Sequence, residues 1–195
     1  MRAVRRAGFT LIEVLIAMSL AAIVLVKLTM IMDSASDTSA DQVASLALED
    51  QARTVLDKIA YAVMSADREQ LMPDPESPEY STSLTFTISL GVEDGEVVLS
   101  DPEQIAYEGN QVLWKQNPGL PEERRVAWCN TVRAVMWEEV AGNLLDDNGN
   151  GLSDEPGLSF TLYRDAVTIR LCLERVKKDG TAITQEVNTV VTLRN

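Results

Sequence analysis

At 195 residues the chain holds about one to one-and-a-half domains, enough for a sizeable core and too little for several independent modules. Seventeen lysines and arginines face 30 aspartates and glutamates, a net charge of -13, so nucleic acid is not an expected partner, because a phosphate footprint needs clustered cations. With no histidine, imidazole acid–base chemistry, Ser-His and Cys-His nucleophiles and histidine-ligated metal hydrolases are excluded; no nucleophile and base pair can be named, and the expected role is not enzymatic.

The amino end is the most informative segment. Residues 1–8, MRAVRRAG, carry Arg2, Arg5 and Arg6 and no acid, and residues 9–32, FTLIEVLIAMSLAAIVLVKLTMIM, form an apolar run. As a helix rising about 1.5 Å per residue, those 24 residues cover roughly 36 Å, enough for a hydrocarbon core of about 30 Å. Glu13 and Lys27 bracket only 13 uncharged residues, so a spanning helix has to snorkel Lys27 outward and account separately for Glu13. The arginines flank one side only. By the positive-inside rule the amino terminus stays cytoplasmic and everything after Met32 is exported, a single pass of the inner membrane. The competing reading is a conventional secretory signal with Thr38-Ser39-Ala40 as its cleavage site. Against it stand the length of the apolar run, the carboxylate near its start and the helical pattern that continues beyond it.

Residues 8–18, GFTLIEVLIAM, resemble the class III signal of type IV prepilins and type II secretion pseudoprepilins: a short basic leader ending in glycine, then phenylalanine, with glutamate at the fifth mature position. The resemblance implies a membrane prepilin peptidase that cuts after Gly8 and methylates Phe9, with Glu13 as the assembly carboxylate. It also implies other pilin or pseudopilin subunits and an inner-membrane assembly platform as partners. A carboxylate at the centre of a membrane helix costs about 2.5–3.5 kcal/mol, less near an end, so its presence points to a partner. An amine on Phe9 lies at i and i+4 from Glu13, on the same helical face, and exists only after the leader is removed. Cleavage thereby creates the cation that pairs with Glu13, in the same subunit or a neighbour. The alternative is a Glu13 that simply snorkels to the headgroups.

Past Met32 acids begin at once, yet helix formers dominate to about Met72, so residues 33–72 read as an exported amphipathic helix. Leu48, Ala52, Val55, Ile59 and Ala62, widened by Leu56 and Val63, make its buried stripe. Pro73, Pro75 and Pro78 end it and place a linker at 73–83. From Leu84 the period changes to two: Leu84, Phe86, Ile88 and Leu90 read as a half-buried strand, and residues 97–99 as another. Residues 104–108 and 111–115 flank Gly109-Asn110 as a hairpin, and 124–140 is ambiguous between strands and a short helix. Residues 158–162, 167–173 and 187–193 supply further strands of a β-rich domain spanning 84–195. One long helix followed by runs of strands is α+β, with the helix packed on an antiparallel sheet. That order fits the pilin-like fold, and the size and the closing VVTLRN resemble the minor pseudopilins of the general secretion pathway J type.

Two constellations remain. In DDNGNGLSDE, Asp146, Asn148, Asn150, the Leu152 carbonyl and Asp154 fall where a D-x-[DN]-x-[DN]-G calcium loop places its ligands, with glycine at 151. Position twelve is Gly157 rather than the usual glutamate, so calcium would need Asp154, the Leu152 carbonyl, or a carboxylate from elsewhere such as Glu155; the same residues also read as a solvated turn. Cys129 and Cys172 lie in the exported part, where a disulfide closing a loop of 43 residues can form; Cys172 falls on the face opposite Ile169 and Leu171, so two unpaired thiols are the alternative. The expectation is a processed minor pilin or pseudopilin, assembling through its amino-terminal helix into a type II secretion pseudopilus or type IV pilus. Its rival is a membrane-anchored binding module, calcium-dependent or not, that never polymerises.

Overall fold

The computed structural model describes residues 10–73, 79–177 and 179–193. The chain divides into two compact units, Met1–Ala44 and Ser45–Asn195, and the helix α1, Leu11–Met64, supplies residues to both. In the first unit every described side chain except that of Val43's neighbour Ala44 is exposed, including Leu11, Ile23, Val24 and Met32. Length and composition suffice for this stretch to cross a membrane, and none of its apolar window is buried in the molecule. So much apolar surface on a helix is stable against lipid or other helices rather than against water.

The second unit is built on the other end of α1. Leu48, Ala52, Val55, Leu56, Ile59 and Val63 are buried, with Ala62 half-buried beside them, as the 3.6-residue stripe predicts. They share one apolar core with Leu84, Phe86, Ile105, Val112, Leu158, Phe160, Ile169 and Leu171. Three antiparallel sheets complete the unit. The first has the order β1 (Ser83–Phe86), β4 (Glu103–Glu108), β5 (Gln111–Gln116), β6 (Arg124–Cys129). The second is the hairpin β2 (Ser89–Glu93) and β3 (Glu96–Leu99); the third is β7 (Leu158–Tyr163), β8 (Ala166–Val176), β9 (Ala182–Thr192). Gly109-Asn110 makes the two-residue turn expected of it, joining the Glu108–Gln111 pair, with Gly109 at φ +65° as such turns require. The architecture is α+β and pilin-like: a long apolar amino-terminal helix, then antiparallel sheets.

Two boundaries differ from expectation. The helix ends at Met64 rather than near residue 72, because the chain after it is recruited by strand backbone. The Asp67 amide donates to the Thr87 carbonyl, and the Met72 amide to that of Thr85 at 2.7 Å. Asp67 also caps a separate 3-10 turn, Arg68–Gln70, by accepting the Glu69 amide at 2.9 Å. The single strand expected over 84–90 is two. It breaks at Thr87-Ile88, where Ile88 leaves the β1 ladder, pairs with Ala66 and starts the chain into the β2–β3 hairpin. The linker placed at 73–83 is partly structured at its far end, where Ser81 exchanges backbone hydrogen bonds with Phe160 on β7 and Ser83 opens β1; residues 74–78 lie outside the described set.

Between β6 and β7 the chain runs for residues 130–157 without a strand of its own. Both ends are fastened to β8. Arg133 N–H donates to the Cys172 carbonyl and Glu174 N–H to the Thr131 carbonyl on one side; Cys172 N–H donates to the Gly157 carbonyl on the other. Gly157 fits only because it lacks a side chain: a Cβ there would stand 2.3 Å from the Arg133 carbonyl oxygen. The acidic loop is thus a long excursion clamped at its base on the central strand of the third sheet.

Candidate functional site

Two places hold the residues singled out in the sequence. The first is the start of α1. Gly8 and Phe9 lie outside the described residues, but Glu13 does not. Its Oε2 accepts the Thr10 backbone N–H at 2.8 Å and the Thr10 hydroxyl at 3.0 Å, while the Glu13 N–H donates to Thr10 Oγ1 at 3.4 Å. Thr10-Leu11-Ile12-Glu13 is therefore a reciprocal capping box, satisfying helix-end donors that have no partner inside the helix. The carboxylate also sits at the positive end of the helix dipole. Glu13 thus has a local role in its own first turn before any other subunit is considered.

The second place is the acidic loop. Asp146, exposed at the tip, turns the backbone around itself: Oδ1 accepts from Gly149 N–H at 2.7 Å and Asn150 N–H at 3.1 Å, and Oδ2 from Gly151 N–H at 2.8 Å. Gly151, at φ +87°, supplies the left-handed turn that the glycine of a calcium loop supplies. Asn148 Oδ1 accepts from Asn150 N–H and Asn150 Oδ1 from Leu152 N–H, so the three alternating side chains are ordered as the motif requires. Asp154 faces another way. Its carboxylate accepts the N–H groups of Gly142, Asn143 and Leu144 at 2.7, 3.3 and 2.7 Å, tying down the preceding turn.

Below the loop lie two buried carboxylates. Glu139 bridges its two halves, accepting Asn148 N–H and Asp154 N–H, and so has both oxygens occupied. Glu155 is wholly buried; one oxygen accepts from the Asn150 side-chain amide and the other, Oε2, has no hydrogen-bond partner among the described residues. Tyr80 closes this side by donating to the Asp154 carbonyl at 3.1 Å; burial first, and then the charges of Glu155, Asp154 and Glu139, push its phenol above the ordinary range. Among the described residues no three acidic or cysteine side chains gather into a metal-holding group, so a cation here would depend on amide and carbonyl oxygens as well.

The expected disulfide is not formed: Cys129 and Cys172 are both free and buried. The reason is facing. Cys129, at the end of β6, points into the shared core, whereas Cys172 lies between Leu171 and Leu173, which point into that core, and so projects from the opposite face of β8. Burial raises both thiols, Cys172 to about 12, with Glu186 and Glu174 adding to the effect and Arg133 opposing it. Neither is a thiolate near neutral pH.

Three contributors escaped the sequence reading. The T-x-x-E capping signature at Thr10 was visible in the letters themselves. Glu139 and Tyr80 carried no signal, since each meets the loop only through the tertiary fold. Comparison with known proteins bears on the amino end alone. Residues 4–26, a span that includes Gly8, Phe9 and Glu13, match the family model described as the prokaryotic N-terminal methylation motif. Neither a curated protein nor a solved structure matches the chain. The motif, which runs into the apolar helix from Leu11, supports a class III signal of the type IV pilin and pseudopilin kind at the amino end of a pilin-like α+β fold.

Proposed function

We propose that the chain is made as a membrane precursor, cut by prepilin peptidase after Gly8, methylated at Phe9 and assembled through its amino-terminal helix as a minor subunit of a type II secretion pseudopilus or type IV pilus. The observation that carries this reading is the methylation motif over residues 4–26, which runs into an apolar helix beginning at Leu11 with no buried side chain in its membrane-length window. A helix exposed in that way needs lipid before assembly and neighbouring helices after it. The globular unit stays on the exported side, single-pass, and the protein's role is structural.

Amino-terminal mass analysis of protein from its native host tests processing: the mature chain starts at Phe9, carries one methyl group, and has a net charge of -16 after the three leader arginines leave -13. A start near Asp41 means conventional signal cleavage and overturns the proposal. Glu13→Gln tests assembly, because glutamine still serves as the third residue of a capping box and only the charge is lost. Insertion and Gly8 cleavage remain, and cross-linking to sister prepilins in membranes disappears. If Glu13→Gln cross-links like wild type, the carboxylate serves the helix end alone and the charge-pairing mechanism is wrong.

A further inference from the structure

We propose that the 146–155 loop is a calcium site whose ligands are Asp146, Asn148, Asn150, the Leu152 carbonyl and the buried carboxylate of Glu155, with Asp154 taking no part. An acidic turn alone would not carry this. The independent observation is Glu155: a carboxylate with no solvent exposure, held against the loop by its contact with the Asn150 amide, and with Oε2 lacking any hydrogen-bond partner among the described residues. Buried carboxylate oxygens are ordinarily paired with a donor or a cation. Here the unpaired oxygen adjoins the one segment whose Asp-x-Asn-x-Asn-Gly order aligns further oxygens.

The structure also explains why the usual ligand pattern is changed. Position twelve of a calcium loop carries a bidentate glutamate, but here it is Gly157, where the backbone of Arg133 and Cys172 leaves no room for a side chain. Position nine is Asp154, whose carboxylate is turned to the N–H groups of the preceding 142–144 turn, whereas Asp146 accepts those of the loop itself at 149–151. Glu155, the residue after Asp154, points inward and supplies the carboxylate that both positions lack. The donor set is all oxygen, with two carboxylates and three neutral groups, which suits calcium. Magnesium demands tighter octahedral geometry and parts reluctantly with water, and zinc prefers the nitrogen and sulfur donors that are missing here. So few charges place the affinity at the weak, extracellular end, about 10⁻⁴ to 10⁻³ M.

The test is calcium chloride titrated calorimetrically into the full chain in detergent micelles after chelator treatment, with magnesium chloride in parallel. One calcium per chain binds in that range and magnesium does not compete. Glu155→Gln, which keeps size and hydrogen bonding, weakens calcium by about tenfold or more, on the scale seen when a metal site loses a supporting group. Asp154→Asn leaves calcium affinity unchanged. Circular dichroism verifies that each variant is folded; should Glu155→Gln fail to fold, Asp146→Asn at the exposed loop tip gives the same loss of binding without touching the buried face. A flat isotherm for folded wild type, equal affinity for magnesium, or full calcium binding by folded Glu155→Gln overturns the proposal. So does loss of binding in Asp154→Asn.

Discussion

Cys172 has no exposed surface, and the cost of placing a thiolate there is what raises it to about 12. An unfolded cysteine titrates near 8.5, so above that pH the unfolded chain loses a proton that the folded chain keeps. The folded state then binds more protons than the unfolded one, and stability falls as pH rises through the window between the two values, by up to about 1.4 kcal/mol per pH unit. Cys172→Ala removes that contribution. Its denaturation midpoint is therefore lower than wild type at pH 7, from lost packing, but declines less steeply between pH 9 and 11; parallel declines would show that Cys172 does not titrate differently on folding. The same burial makes both thiols slow toward alkylating reagents in the native protein and fast after denaturation without reductant. Intact mass under non-reducing conditions checks the second half: a disulfide would leave no thiol to alkylate. Glu13 shows the opposite case, a carboxylate at a helix end whose nearest donors come from its own turn. Thr10→Ala removes one half of that cap, at about 0.5–2 kcal/mol of helix stability, and leaves the charge in place. Paired with Glu13→Gln it separates the capping role from the charge.

At the scale of elements, the clamp on β8 decides where the acidic loop can go. Gly157 is not needed for its backbone angles; it is needed because the Arg133 and Cys172 carbonyls stand where a Cβ would be. Gly157→Ala must push a strand and its neighbour apart, an overpacking cost of about 1–3 kcal/mol, which lowers the melting temperature by several degrees in a domain of this size. Gly180, at φ +86° with open space around it, is the control: its alanine variant loses only conformational preference, about 1 kcal/mol. If the two variants melt alike, the clamp is not as tight as the geometry states. The same distinction explains what was legible in the sequence. The stripe from Leu48 to Val63 and the Gly109-Asn110 hairpin are local patterns, and both stand as read. The helix end at Met64 and the break at Thr87-Ile88 are set by pairings between Ala66 and Ile88 and between Met72 and Thr85, partners that periodicity along one segment cannot reveal. The loop's alternating oxygens were legible from spacing alone. That Asp154 faces its own preceding turn, and Glu155 the interior, depends on contacts with residues 139–144 and on burial, neither of which a motif encodes.

At the scale of the whole molecule, the two units are stabilised by different surroundings. Among the described residues burial begins at Leu48, so the stretch before Asp33 places no side chain in the core. A fragment starting at Asp33 discards four cations and Glu13, keeping 13 basic and 29 acidic residues and a net charge of -16, which favours solubility. It should melt cooperatively within about 2–4 °C of the full chain in micelles, the shift that roughly 1 kcal/mol produces in a domain of this size. A fragment starting at Asp57 is a different matter. It loses Leu48, Val55 and Leu56, large buried side chains contributing about 1.5–3 kcal/mol each, against a typical total stability of about 5–15 kcal/mol. It also exposes the sheet face that they cover. Thermal unfolding followed by circular dichroism distinguishes the two fragments: the longer shows a sharp transition and the shorter none. A cooperative transition in the shorter fragment would mean that the sheets fold without the helix. Loss of the transition in the longer one would mean that the apolar half of α1 contributes to the core, and the division of labour between apolar helix and globular unit would have to be redrawn.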